Sequence, residues 1–171
     1  MHSNYEAKKY LAVSALAEID PTKPYGTELF NAIARLSVTV ALEIVCLREN
    51  PPNKQIEILM IQRSIKDAAY PGEWHCPGAV KRPGETDLEV INRLNKKELK
   101  AEIISFDFVG NCEITEEVRG HFYDPVYLCQ IKQTPETKGT WFPIDSLPES
   151  TVNHHRDSII PMAIEFYTSK R

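Results

Sequence analysis

The sequence predicts an α/β sandwich in which helices cover a mixed β-sheet. Three observations favour this class. Apolar residues alternate with period two on both sides of residues 86–100, that segment has the pattern of one amphipathic helix, and a second apolar helical stripe ends the chain. Strands that flank a central helix, followed by another helix, pack as layers around a shared core. The 171 residues suffice for one domain with such a core.

The first 36 residues are predicted to form two helices that precede the sheet. The pattern of a first helix ends at the segment Pro21-Thr22-Lys23-Pro24-Tyr25-Gly26, and Thr27 is the expected N-cap of a second helix. This extension is interpreted as a lid, a dimerisation surface or a segment packed on the main body, and packing is the simplest of the three. We therefore divide the chain into a helical extension, 1–36, and a main domain, 37–171. The apolar stripe of the first helix comprises Leu11, Ala12, Ala15, Leu16 and Ile19.

The sheet is predicted to begin with a β-hairpin. Alternation over residues 38–46 is typical of a half-buried strand, and residues 56–61 form a second, more fully apolar strand. The polar segment 48–54, which contains two prolines, is the turn between them. A long loop, 64–75, follows, and a loop of that length in a compact domain is usually functional or disordered.

The central helix is predicted over residues 86–100, which contain neither glycine nor proline. Thr86 is its expected N-cap, and Glu89 lies three residues further on, which completes a capping box. Two more strands are expected at about 103–114 and 121–132, and a short one at 141–144.

The last element is predicted to be a helix in which Pro161 marks the first turn or a kink. Its apolar face comprises Ile159, Ile160, Ala163, Phe166 and Tyr167.

Composition excludes several classes of function. With 20 basic and 24 acidic residues the formal charge is −4, so no basic footprint for nucleic acid or an anionic membrane is present. No run approaches the roughly 18 apolar residues of a membrane helix, and no targeting signal is recognisable. The four cysteines form no CxxC pair and are expected to be buried free thiols. We expect a cytoplasmic protein that binds neither nucleic acid nor membranes.

One stretch carries chemical information, and it runs from Trp74 to Thr86 with the sequence WHCPGAVKRPGET. Together with the helix that follows, it resembles the signature of the Nudix family, G-x5-E-x7-R-E-U-x-E-E-x-G-U, where U is a bulky apolar residue. The spacing from Glu85 to Arg93 is that of the family, and the resemblance covers roughly residues 37–165. It implies a Nudix-like α/β/α sandwich and a magnesium-dependent hydrolase of nucleoside diphosphate derivatives.

The chain departs from this signature where the family binds metal. Of seven fixed letters it keeps Glu85, Arg93 and Glu98, while Leu94 and Lys97 stand in place of two glutamates. Residues at i, i+3 and i+4 share a helix face, so three carboxylates would lie together in a relative. Here the charges of Lys97 and Glu98 cancel, which removes most of the attraction for a divalent cation. Mg²⁺ is therefore expected to bind weakly or not at all.

The resemblance also implies roles for individual residues. Glu85 and Arg93 would form an ion pair that fixes the loop to the helix, with catalysis their lesser role, and Glu98 is the third candidate catalytic residue. Glu98 is also a candidate metal ligand, together with Glu117 from a later segment. The candidate substrate-binding residues are Trp74, Gly78 and Lys97.

Some of these residues have simpler interpretations. The basic cluster of Lys81, Arg82, Lys96, Lys97 and Lys100 forms either a metal-free anion site or a solvated helix end. Trp74 and Tyr70 on the long loop either stack on a base or cover the edge of the core. His154 and His155 are interpreted as capping or surface groups rather than bases.

Three functions remain open from sequence. The first is a magnesium-dependent hydrolase with compensating ligands at Glu113, Glu116 or Glu117. Asp124 lies in the same later segments, where the resemblance implies an additional metal ligand or base. The second, which we favour, is a Nudix-like domain that binds a nucleotide or another phosphorylated small molecule with weak or lost hydrolysis. The third is a non-hydrolytic enzyme of the same fold. The amphipathic N-terminal extension is a candidate element for homodimerisation.

Overall fold

The computed structural model describes the backbone of residues 2–170 and the side chains of residues 4–170. Four helices are present: α1 (His2–Ala17), α2 (Gly26–Ala34), α3 (Asp87–Leu94) and α4 (Ile160–Ser169). The strands are β1 (Val38–Glu49), β2 (Ile56–Gln62), β3 (Trp74–His75), β4 (Gly78–Val80), β5 (Glu102–Glu117), β6 (Gly120–Lys132) and β7 (Thr140–Pro143). No helix in the described part of the chain combines the length and apolar character needed to cross a bilayer.

The seven strands form one mixed sheet in the order β3-β2-β1-β6-β5, which confirms the predicted fold class. The β1–β2 pair is the predicted antiparallel hairpin, and β5 and β6 form a second one. The two hairpins are joined by a parallel pairing of β1 with β6. Strand β4 pairs with β1, and β7 pairs with β2.

Strand β1 is buried on both faces, which corrects the expectation of a half-buried strand. Leu42 and Ile44 face a core beneath α3, where they join Ile91 and Leu94. Val45, on the opposite face, belongs to a second core. The residues between the alternating positions of β1 are themselves mostly apolar, and helix α4 covers them. The second core also contains Ile58, Met60, Ile159, Ile160 and Ala163.

Helix α3 has the predicted start and an unexpected end. The Thr86 hydroxyl accepts a hydrogen bond from the Glu89 amide, and the Glu89 carboxylate accepts one from the Thr86 amide at 2.7 Å, so the capping box is confirmed. After Leu94 the chain continues as a single π-helical turn over Asn95–Leu99. The turn ends at Lys100, which has a left-handed backbone with φ 53°.

The N-terminal extension does not pack as predicted. Every side chain of α1 that the structure describes is exposed, including Leu11 on the expected apolar stripe. The prediction failed because apolar residues such as Tyr10 and Val13 also lie off the stripe, so no single face is apolar enough to bind the sheet. Residues 4–20 therefore contribute no buried side chain to either core.

Helix α2 is the part of the extension that contacts the main domain. The Phe30 ring lies 6.5 Å from the Phe122 ring on β6. The helix begins at Gly26 after Tyr25, with no side-chain cap, so the expected N-cap at Thr27 is wrong. Gly26 has φ +74°, a conformation that favours glycine, and the helix begins two residues earlier than it would with Thr27 as the N-cap.

All four cysteines are free and buried, as predicted: Cys46, Cys76, Cys112 and Cys129. Burial raises the pKa of each of these thiols, which keeps them protonated and unreactive.

Candidate functional site

Two adjoining cavities lie where the N-terminal extension, the 64–75 loop and the loop before α3 meet. The large cavity has a volume of about 430 Å³ and is bounded by residues 23–27, Phe30, Asn31, 67–69, 80–83, Arg93 and Arg119. The small cavity, of about 80 Å³, lies over β1 and β6 and is lined mainly by polar side chains. Val80 and Arg119 line both cavities, so they are parts of one region.

The expected ion pair between Glu85 and Arg93 is present and closed. Arg93 Nε and Nη2 donate to the two carboxylate oxygens of Glu85, each at 2.7 Å, and Nη2 also donates to the Val80 carbonyl at 2.9 Å. The Arg82 amide donates to the same carboxylate at 2.8 Å. The bond from Arg93 lowers the pKa of Glu85, so the pair stays ionised and fixes the loop to α3.

A second ion pair, which sequence reasoning missed, fixes the same loop. Lys81 Nζ lies 2.5 Å from Asp87 Oδ1 in the first turn of α3. The Tyr127 hydroxyl donates to the other oxygen of Asp87 at 2.5 Å. The bond from Lys81 and then that from Tyr127 lower the pKa of Asp87. The loop before α3 is therefore held at both ends, so it is a fixed wall of the large cavity.

The three positions where relatives place carboxylates no longer share one face. Leu94 is 1 % exposed and lies in the core beneath the sheet, whereas Lys97 is exposed to solvent. Glu98 is half-buried, and burial raises its pKa, while the cations Arg63, Lys97, Arg93 and Lys138 oppose this shift. Glu98 therefore lies among positive charges, and its own charge contributes to the raised pKa of Glu43.

The donor set does not fit a divalent ion. Both oxygens of Glu117, the second candidate ligand, already accept hydrogen bonds from Arg119, one from its amide and one at 2.9 Å from its guanidinium. Among the residues that the structure describes, no cluster of three His, Cys, Asp or Glu side chains is placed to hold a metal ion. A hard cation such as Mg²⁺ needs several oxygen ligands around one point, and the two candidate ligands Glu98 and Glu117 do not supply such a set between them.

The small cavity contains two buried carboxyl groups, Glu43 and Asp124, of which the sequence analysis had named only Asp124. Glu43 is directly opposite Gly78 in the β1–β4 pair, and its carboxylate occupies the space where a side chain at Gly78 would lie. One of its oxygens is buried without a hydrogen-bond partner in the described residues. Asp124 accepts one bond, from the Ala41 amide at 3.3 Å. Burial raises the pKa of Glu43 well above its usual range and that of Asp124 to about 7.

Two histidines, His154 and His155, line the small cavity, and the His75 ring packs against that of His155 at 5.9 Å. His155 Nδ1 accepts a hydrogen bond from the Cys76 amide at 3.3 Å and lies 3.9 Å from a Glu43 oxygen. Burial lowers the pKa of His155 well below its usual range, and those of His75 and His154 to about 4. All three are neutral at pH 7. The expectation that His154 and His155 are capping or surface groups is therefore wrong for His155, which is buried. His154 is half-buried and stands at the N-cap of the turn before α4, where its side chain forms no capping hydrogen bond.

The remaining candidate residues fall at different places. Trp74 packs edge-on against Phe142 at 4.8 Å and covers the edge of the second core, so it lines neither cavity. Tyr70, the alternative aromatic residue, does line the small cavity. Burial raises its pKa to about 12. Gly78 lines the small cavity too, and exposed Lys97 lines neither.

The charged lining of these cavities could have been found only in part from the sequence. Glu43 interrupts an otherwise apolar strand, and a charge in such a position is a signal of a functional or paired group. Asp124 was named only through the family resemblance, because its position in the strand expected at about 121–132 does not by itself predict that it is buried. Arg119 reaches the site from the β5–β6 turn, where its guanidinium lies 5.3 Å from the Phe122 ring.

Comparison with models of protein families and with curated protein sequences finds no match. Solved structures do match. Shewanella oneidensis NrtR aligns with TM-score 0.62 and 17% identity over 77% of this chain, which spans 63% of that protein's chain. The same protein has been solved with a 27mer DNA. A MutT/nudix family protein from Enterococcus faecalis aligns with TM-score 0.62 and 16% identity over 95% of this chain and 69% of its own.

A third match is the NUDIX domain of NrtR in complex with ADP ribose. It aligns with TM-score 0.60 and 16% identity over 93% of this chain and 98% of that domain. Sequence identities this low support a shared fold, but they do not support a shared activity or ligand. The chain therefore has the Nudix fold, as the resemblance of its 74–101 segment implied.

Proposed function

We propose that this chain binds a nucleoside-diphosphate-type ligand or another phosphorylated small molecule, and that it hydrolyses that ligand weakly or not at all. The ADP ribose complex of a NUDIX domain with the same fold supports the class of ligand. One observation carries the second half of the proposal. Leu94 and Lys97 replace carboxylates, and the remaining Glu98 lies among cations.

The physical reason lies in what hydrolysis of a diphosphate requires. Water must add at phosphorus while negative charge spreads over several oxygens, and bound magnesium both neutralises that charge and orients the water. Arginine and lysine side chains can neutralise the same phosphates, but they do not activate water. A site that has lost convergent carboxylates and kept cations therefore favours binding over turnover.

In this proposal the residues divide by role. Glu85 and Arg93 act as positioning residues that hold the loop before α3, because all their strong contacts are with each other and with the loop backbone. Gly78 is proposed to contact the ligand through its backbone, because the space beside it is occupied by the Glu43 carboxylate. Lys97 and Trp74 are proposed ligand contacts of lesser weight, since neither lines a cavity. The ligand class is a free cytoplasmic metabolite rather than DNA, given the net charge of −4.

A second candidate function is a magnesium-dependent hydrolase with compensating ligands. The buried carboxyl groups of Glu43 and Asp124 favour it, because they lie beside Glu117 in the small cavity. In that case Mg²⁺ would have to displace the proton that burial favours on Asp124, and metal binding would release protons.

The deciding experiment is calorimetric titration of the full chain with ADP-ribose, once in EDTA and once in Mg²⁺, with product analysis of the same mixtures. We expect equal affinity in both buffers and no turnover. Magnesium-dependent binding with hydrolysis would establish the alternative, and absence of binding in both buffers would refute the proposal.

A gain-of-site variant complements this measurement. Lys97→Glu replaces one of the cations that act on Glu98 by a carboxylate, and we expect it to bind Mg²⁺ more strongly than the wild type does. Lys96→Glu makes the same charge change on the neighbouring exposed residue and should not create a site. Leu94→Glu is unsuitable, because it would bury a carboxylate in the core beneath α3.

A further inference from the structure

The large cavity contains the features of a specific nucleotide site, and the N-terminal extension completes it. We infer that a nucleoside diphosphate binds there, with its base against Tyr25 and Phe30 and its phosphates against Lys23 and Arg82. The inference rests on the proposed function and goes further by naming the cavity and the contacts. Its volume of about 430 Å³ is within the usual range for small-molecule sites.

The charge of the lining is strongly positive. Five basic side chains border the large cavity against a single acid, Asp67, which is already paired with Arg63. Three of the five have carboxylate partners: Lys81 with Asp87, Arg93 with Glu85, and Arg119 with Glu117.

The other two cations are available to a ligand. Within the described residues, Lys23 and Arg82 form no ion pair, and the Arg82 guanidinium contacts only the Thr22 carbonyl at 3.4 Å. Lys23 belongs to the extension and Arg82 to the loop before α3, and the Arg82–Thr22 bond brings these two segments together. A diphosphate that contacts both cations would receive charge-assisted hydrogen bonds from both segments.

Asn31 supplies an unused hydrogen-bond acceptor. Its side-chain oxygen is buried and has no partner among the described residues, and the residue lines the cavity. A buried amide oxygen without a donor costs free energy, so a ligand that donates an N–H to it gains an interaction already prepared by the fold. The exocyclic amine of adenine is such a donor.

The aromatic part of the lining lies beside this acceptor. Tyr25 and Phe30 come from the start of α2, and the Arg119 guanidinium lies 5.8 Å from the Phe30 ring. A planar base can stack on aromatic rings and on a guanidinium group, because rings and guanidinium groups both offer flat, polarisable surfaces. The arrangement matches the two halves of a nucleotide. The base, with its N–H donor, would lie against α2, and the phosphates would lie against the basic residues of the loop before α3.

The test uses the full chain and three probes: ADP, purine riboside diphosphate, which lacks the 6-amino group, and inorganic pyrophosphate. Arg82→Gln and Lys23→Gln should each weaken binding of all three by about tenfold, the loss of one charge-assisted contact. Asn31→Leu should weaken ADP by about fivefold or more and leave the other two probes unchanged. Lys96→Gln removes the same charge from an exposed site outside the cavity and should change nothing.

Hydrogen exchange of the wild type gives a readout that needs no variant. With ADP bound we expect slower exchange over residues 22–31 and 80–83, and no change over α1. Suppose that the wild type binds ADP, that Arg82→Gln, Lys23→Gln and Asn31→Leu bind it with unchanged affinity, and that exchange over 22–31 and 80–83 is not slowed. The inference is then overturned, while the proposed function stands. If the wild type binds none of the three probes, and no ADP-ribose, both are overturned.

Discussion

Replacement of Asp124 by asparagine should stabilise this protein at neutral and alkaline pH. The Asp124 carboxyl is 2 % exposed, accepts one hydrogen bond from the Ala41 amide, and lies near a second buried carboxyl, Glu43. Burial raises its pKa from 3.8 to about 7. Asparagine keeps the acceptor for Ala41 and removes the charge, so it relieves the cost of ionising a buried acid.

The size of the effect follows from the two pKa values. Between pH 3.8 and about 7 the unfolded chain loses the Asp124 proton while the folded chain keeps it, so stability falls as the pH rises. Each pH unit in that window costs about 1.4 kcal/mol, which gives about 1.5 kcal/mol at pH 5 and about 4 kcal/mol at pH 8. For a chain of this length the latter corresponds to a rise in Tm of about 10 °C.

Urea unfolding of the wild type and of Asp124→Asn at pH 5 and pH 8 measures this directly. The buried histidines act in the opposite direction: His75 and His154, with pKa lowered to about 4, stabilise the fold above pH 6.5 and lose that contribution as the pH falls. Both proteins contain these histidines, so their contribution cancels in the difference between the two free energies of unfolding. Glu116→Gln, which removes an exposed acid from β5, is the control and should change stability by under about 0.5 kcal/mol. An advantage of Asp124→Asn that is equal at both pH values would refute the reasoning.

Three further changes are expected to alter stability, each measured by urea unfolding. Lys100→Gly should stabilise by about 1 kcal/mol, because φ 53° suits glycine; a loss of stability would contradict this. Arg93→Ala should cost about 2–3 kcal/mol by leaving Glu85 unpaired, with Arg93→Lys between it and wild type. Gly78→Ala should cost about 1–3 kcal/mol, since its methyl group would meet the Glu43 carboxylate; an unchanged midpoint would show that Glu43 moves freely.

The elements whose formation depends only on residues close together in the sequence were predictable from the sequence. The capping box of α3 needs only Thr86 and Glu89, and the β1–β2 hairpin needs only alternation on either side of a turn. The burial of an element is not local in this way. The stripe on α1 predicted a helix correctly, but whether a partner covers it depends on surfaces far away in the sequence, and none covers it.

The candidate site shows the same division. The spacing from Glu85 to Arg93 predicted their ion pair, because both lie on one loop and helix. The approach of Glu43 to Asp124 could not be predicted, since it arises from the parallel pairing of β1 with β6 across most of the chain. The helix face was predicted wrongly for a different reason. The π turn after Leu94 changes the number of residues per turn, so positions 94, 97 and 98 no longer point together.

That π turn also supports the proposal that the site binds its ligand rather than hydrolysing it. A glutamate at position 94 would have to be buried in the core beneath α3, whereas Leu94 adds apolar contacts there and supplies no metal ligand. Without a carboxylate at position 94, Glu98 alone would hold a divalent ion poorly. A lysine or arginine near the phosphates would then have no metal ion to compete with. Cations on the loop before α3 and on the extension can then take over the neutralising role of magnesium. They leave the attacking water unactivated, so in the proposed site a bound diphosphate would persist rather than be cleaved.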